Sequence, residues 1–220
     1  MKYSYCLILA SLAASTPTQA ILQGYWNMNS NANIGKLDAN QGEQAATVAA
    51  SFVEITAGFI GEIEPDVSGT TENLIPPTIG FNRAVGFFRA GSVYYDGAFE
   101  MFNFDFSDLS EVSVSFAYRG EKFFTWDSNL DVNYRIDGGD WENIAEGITY
   151  SSDWNVATID MSVVDGFDNV DFQIRTTNWA SIAGFLDIDN VQVNAIPEPS
   201  TYALMASVSA LGLLAFRRRR

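Results

Sequence analysis

The chain has 220 residues, room for one folded domain plus processing segments. Its 27 acids and 12 bases give a formal net charge of −15, and the span from Ile21 to Ala195 holds 26 of those acids but only seven bases, a net −19. So acidic a body excludes nucleic acid as a partner, because that affinity comes from neutralising phosphates, and the absence of histidine excludes Ser-His-Asp triads, Cys-His dyads and most catalytic zinc sites.

The first twenty residues carry one base, Lys2, then an apolar stretch from Tyr5 to Ala14 and the small-residue run Thr18-Gln19-Ala20. This is the pattern of a secretory signal helix over 1–20, with cleavage between Ala20 and Ile21. The lone cysteine, Cys6, falls inside it, so the processed body has no thiol and no disulfide framework. The 47% hydrophobic and 14% aromatic content argues for a folded body over a disordered one.

Along the body, the alanine-rich 42–52, GEQAATVAASF, is the one helix candidate, and 60–80, rich in Gly and Pro, reads as a long surface loop. In 91–106 alternation groups Phe102, Phe104 and Phe106 on one face against Met101, Asn103 and Asp105. Val112, Val114, Phe116 and Tyr118 share a face of the next run. Leu130, Val132, Tyr134 and Ile136 oppose Asp131, Asn133 and Arg135. Val170, Phe172 and Ile174 oppose Asp171, Gln173 and Arg175, and the last run carries Leu186 and Ile188, then Val191 and Val193. Period-2 alternation marks half-buried antiparallel strands. Asp137-Gly138-Gly139 between two such runs predicts a tight hairpin, with Trp141 and Ile144 opening the return strand. The fold class expected for 21–195 is therefore all-β, an antiparallel jelly-roll-like sandwich.

Chemistry-bearing clusters are few. Asp140 and Glu142 flank Trp141 but face solvent by alternation. Calcium takes six to eight oxygens; Asp187, Asp189 and Asn190 are the expected contributors to a structural calcium site, with Asp127, Asn129, Asp131 and Asn133 as a second oxygen-rich run. Trp126, Trp154 and Trp179 lie beside polar turn residues, where an exposed ring could stack on a sugar. No catalytic residue is identified.

The chain closes with Pro197-Glu198-Pro199-Ser200, an uncharged apolar run over 201–216, and Arg217, Arg218, Arg219 and Arg220. As a transmembrane helix those 16 residues would be about 24 Å long, slightly short of a hydrocarbon core of about 30 Å. The arginines would stay cytoplasmic and the body would lie outside. The segment 196–220 resembles the PEP-CTERM sorting signal of Gram-negative bacteria. That resemblance implies an exosortase as partner after the secretion machinery, processing near Pro197–Pro199, transient membrane anchoring, and display at the cell surface or in the extracellular matrix.

A second resemblance rests on GYWNMN (24–29), YRIDGGDW and LDIDNVQVNAIPEPS, which look like the jelly-roll ectodomains of PEP-CTERM proteins. It implies a non-enzymatic module binding exopolysaccharide. A secreted lyase or hydrolase, and a structural or adhesive protein without a small ligand, are the alternatives.

Overall fold

The computed structural model describes residues 19–28, 37–54, 61–70, 72–73, 83–89, 97–122, 129–149, 151–177 and 184–198. The expected signal helix, the apolar run 201–216, the terminal arginines, Pro199, Ser200, Trp126 and Trp179 lie outside these residues.

Among the described residues twelve strands run in order: β1 (Ile21–Trp26), β2 (Leu37–Asp38), β3 (Ala49–Glu54), β4 (Gly61–Ser68), β5 (Arg83–Arg89) and β6 (Gly97–Phe104). They continue with β7 (Leu109–Lys122), β8 (Asn129–Ile136), β9 (Glu142–Ile148), β10 (Asn155–Asp160), β11 (Val170–Thr177) and β12 (Gly184–Pro197). They form two six-stranded sheets. The first has the order β10-β7-β12-β5-β4, with β1 also on β12; the second has the order β2-β3-β6-β11-β8-β9. Every pairing is antiparallel. From β5 on, the chain mostly passes from one sheet to the other, so the two inner faces are built together.

Those inner faces follow the alternation in the sequence. Val112, Val114 and Phe116 from β7 meet Leu130 and Val132 from β8 and Phe172 and Ile174 from β11, all buried. Full burial of each such side chain contributes about 1.5–3 kcal/mol. Trp26 closes the core, edge-on to Phe99 at 6.0 Å and Phe104 at 6.1 Å. In β12 the buried parity changes from Leu186 and Ile188 to Val191 and Val193. The cause is a bulge: Asn190 has φ 50°, and the pairing with β7 slips between Asp189 and Gln192. The hairpin falls where expected: Asp137 and Gly138 have φ 54° and 67°, and the Gly139 N–H donates to Ile136 O at 3.0 Å.

Three expectations are corrected. Residues 42–52 are not a helix. One turn forms, with Val48 N–H donating to Gln44 O at 3.0 Å, and the chain then enters β3 at Ala49. Ala50 and Phe52 are needed in the core, and β3 buries them against β6; tertiary burial overrides the helical preference of alanine. Residues 60–80 are not all loop, because 61–68 form β4 on β5. Finally, Phe102 does not share a face with Phe104 and Phe106. Asn103 has φ 68° and bulges the strand, so Phe99 and Met101 are core residues and Phe102 stands on the outer side.

Candidate functional site

The outer face of the second sheet gathers polar side chains in register. β8 reads Asp131-x-Asn133-x-Arg135 and β11 reads Asp171-x-Gln173-x-Arg175. Both spell acid, amide, base at alternate positions. Antiparallel pairing sets Asp171 opposite Arg135, Gln173 opposite Asn133 and Arg175 opposite Asp131. Unlike groups therefore meet in the outer rows and amides meet in the middle one.

The middle row continues across four strands. Asn143 Nδ2 of β9 donates to Asn133 Oδ1 at 3.0 Å, Asn133 Nδ2 donates to Gln173 Oε1 at 2.8 Å, and Gln173 Nε2 donates to Glu100 Oε1 of β6 at 2.7 Å. The relay runs one way, and the carboxylate at its end is the strongest acceptor. Asn133 and Gln173 are buried although they lie on an outer face, whereas Asn143 is exposed and Glu100 half-buried. Two outward-facing groups thus sit at the ends of a rigid floor.

One flanking row carries aromatic rings. Arg135 Nε meets Asp171 Oδ2 at 2.8 Å, and Trp141 covers its guanidinium at 4.4 Å from the ring centroid. The other Asp171 oxygen accepts the Asn103 N–H at 3.0 Å, which pins the bulge that turns Phe102 outward. Phe102 and Trp141 stand three inter-strand gaps apart, about 14 Å. In the opposite row Asp131 accepts the Gly147 N–H at 3.0 Å. With Asn143 and Glu100 facing outward at the ends of the amide row and two half-buried rings in the row beside it, this face can hydrogen-bond hydroxyls and cover apolar C–H faces.

The expected calcium ligands lie on the other sheet, in a buried knot at the β12 bulge. Asp187 Oδ2 meets Arg119 Nε at 2.7 Å, and that guanidinium lies over Trp154 at 4.7 Å and Phe185 at 5.7 Å. Asp189 accepts the Thr70 N–H at 2.9 Å and the Asn190 N–H at 2.8 Å. Asn190 Oδ1 accepts the Tyr25 hydroxyl at 2.8 Å, while its Nδ2 donates to Thr70 O and Glu72 O, each at 2.9 Å. Four of the five side-chain oxygens of Asp187, Asp189 and Asn190 thus face a donor. Among the described residues no group of three or more acidic, His or Cys side chains is arranged to hold a metal ion. Burial pushes the Asp189 carboxyl up to about 7; the Thr70 and Asn190 N–H bonds pull it down, and nearby Asp187 raises it further.

Sequence reasoning found the outward positions of β8 and β11 but gave them no role. The signal was present in the two matching acid-amide-base runs. Glu100 and Asn143 carried none, since only strand order brings them to the same row. Asp140 and Glu142 are exposed, and Glu142 accepts the Tyr134 hydroxyl at 2.6 Å.

The last described residues decide the other half of the site. β12 runs through Pro197, and the Glu198 N–H donates to Asp108 O at 2.9 Å, so the Pro-Glu-Pro run leaves directly from the sheet. Residues 195–220 match the PEP-CTERM protein-sorting motif. The motif implies exosortase-dependent sorting to the cell envelope.

No curated protein is similar to the chain in sequence. Among solved structures, the K1 cleaved adhesin domain of Lys-gingipain from Porphyromonas gingivalis W83 is 10% identical over 80% of this chain and 97% of that one, with a TM-score of 0.47. The CBM22-1 xylan-binding domain of Xyn10C from Paenibacillus barcinonensis is 11% identical over 80% and 97%, TM-score 0.43. A family 11 carbohydrate-binding module from Clostridium thermocellum is 14% identical over the same shares, TM-score 0.42.

Proposed function

We propose that the protein is exported from a Gram-negative cell, handed to an exosortase by its C-terminal motif, and displayed in the envelope or matrix, where it binds a neutral exopolysaccharide without cleaving it. The observation that carries the binding role is the Glu100-Gln173-Asn133-Asn143 ladder beside the row that carries Trp141 and Phe102. Asn143 and Glu100, held in place by the buried Asn133 and Gln173, offer an amide and a carboxylate at the ladder's two ends, which suits a ligand made of hydroxyls.

Charge selects the class of glycan. Glu100, Asp131 and Asp171 outnumber Arg135 and Arg175 on this face, and the body around it is strongly acidic. A uronate-rich or sulfated polymer is repelled; a neutral one is not. A binding role is also supported by the position of the acids. Glycoside hydrolysis needs a proton-donating carboxyl beside the sugar. Asp189, whose carboxyl is raised to about 7, is fully buried in the other sheet.

The test is native affinity electrophoresis of the mature protein through gels containing neutral or anionic polysaccharides. Retardation by a neutral polymer alone, with no new reducing or unsaturated ends after long incubation, is expected. New ends would make the protein a hydrolase or lyase. No retardation in any gel would leave it a structural or adhesive protein.

A further inference from the structure

The two ends of the sandwich leave it together. β1 begins at Ile21, opposite Ala195 of β12. Ala20 and Ile196 line one groove of about 670 Å³ with Glu111, Ser113, Thr158 and Asp160. β12 does not stop where the sorting motif starts. Ile196 pairs with Ser110 and Pro197 with Leu109 on β7, and the Glu198 N–H is bound to Asp108 O at 2.9 Å. Two of the three residues of Pro197-Glu198-Pro199 thus belong to the folded body. Proline fits this position because β1 has already ended its pairing at Ala195, leaving β7 as the one described strand beside it.

We infer that the sandwich sets the N-terminal limit of processing: the bond cut is the Glu198–Pro199 bond or one beyond it, so the mature protein keeps Pro197 and Glu198 as the end of its last strand. This rests on the sorting reading above. An enzyme that cuts a peptide must hold extended backbone across the bond, and a bond with ladder-engaged backbone on both of its sides is not free to be held. A cut before Pro197 would require β12 to peel from β7, taking with it Ala195, which is buried and paired to β1. Beyond Glu198, Pro199 and Ser200 alone separate the fold from the apolar run, a reach of about 7 Å when extended. The sandwich would therefore rest against the membrane surface until the cut. In that cut the carbonyl carbon passes from its amide nitrogen to a nucleophile. With water, the C–N bond breaks, hydroxide joins the carbonyl carbon, and a proton goes to the leaving amine.

The experiment is tandem mass spectrometry of the C-terminal peptide, free or carrying an attached group, from protein recovered from the native host and from a strain lacking its exosortases. The expected last residue is Glu198 or a later one in the parent, with the chain ending at Arg220 in the deletion strain. A last residue at Pro197 or earlier in the parent alone overturns the inference and leaves the sorting reading standing. An uncut chain in the parent, or identical ends in both strains, overturns the sorting reading and the inference with it.

Discussion

Asp189 is a carboxyl on a strand's solvent side that solvent never reaches. Its folded pKa of about 7 lies well above the ordinary value of 3.8. The native state therefore binds a proton more tightly than the unfolded chain. The stability from that proton is fully present below pH 4 and is lost as pH rises through 7, by at most about 1.4 kcal/mol per pH unit. The melting temperature should fall between pH 4.5 and 7, and the Asp189→Asn variant should show a shallower fall; parallel profiles would contradict the assignment. Calcium bears on the same residue. With Arg119, Thr70 N–H, Asn190 N–H and Tyr25 already facing four of the five side-chain oxygens, the melting temperature in chelator should equal that in millimolar calcium. A rise with calcium would restore Asp187, Asp189 and Asn190 as ligands. Gly42 is a second sharp test. It has φ 126°, and a Cβ there would lie 2.3 Å from Gln23 O. Gly42→Ala should cost well over 1 kcal/mol. Gly138→Ala, at φ 67° with open space around it, should cost about 1 kcal/mol.

At the scale of elements, β8 and β11 carry their own registration. Asp-x-Asn-x-Arg against Asp-x-Gln-x-Arg pairs unlike charges in only one antiparallel alignment, and a shift of two residues sets charged groups against amides instead. Asp171 matters most in this arrangement, because it is nearly buried, pairs with Arg135 and caps the Asn103 bulge. Urea unfolding of Asp171→Ala should show a loss of about 3 kcal/mol, that of breaking a buried pair. Asp131→Ala, half-buried and capping Gly147, should lose about 1 kcal/mol. Equal losses would deny Asp171 its double role. The same strands show what was legible beforehand. Their alternation gave the buried set from Leu130 to Tyr134 and from Val170 to Ile174, and the turn residues gave the hairpin. Bulges were harder: in β12 the apolar spacing already carried the slip at Asn190, but in β6 the run of alternating phenylalanines concealed the one at Asn103. The failed helix at 42–52 had the composition of one, and only the need to bury Ala50 and Phe52 against β6 made it a turn and a strand. Glu100 and Asn143 became part of a site through strand order, which no local pattern encodes.

For the described sandwich as a whole, its first and last strands pair with each other and the polar ladder lies on the sheet that neither of them enters. Anchoring and ligand contact can thus be separated. Replacing Pro197, Glu198 and Pro199 by alanine leaves the ladder of β12 intact, so the protein should fold, remain with the membrane fraction and keep its glycan affinity. Unchanged release would remove the sorting role of the motif. The central claim is that the second sheet's outer face holds a neutral polysaccharide, and its most direct test is the dissociation constant of Trp141→Ala beside the parent on the polymer that retards it. Loss of the ring over Arg135 should weaken binding roughly ten-fold, with a melting temperature close to that of the parent. Undiminished affinity in the variant would place the ligand elsewhere and contradict the account.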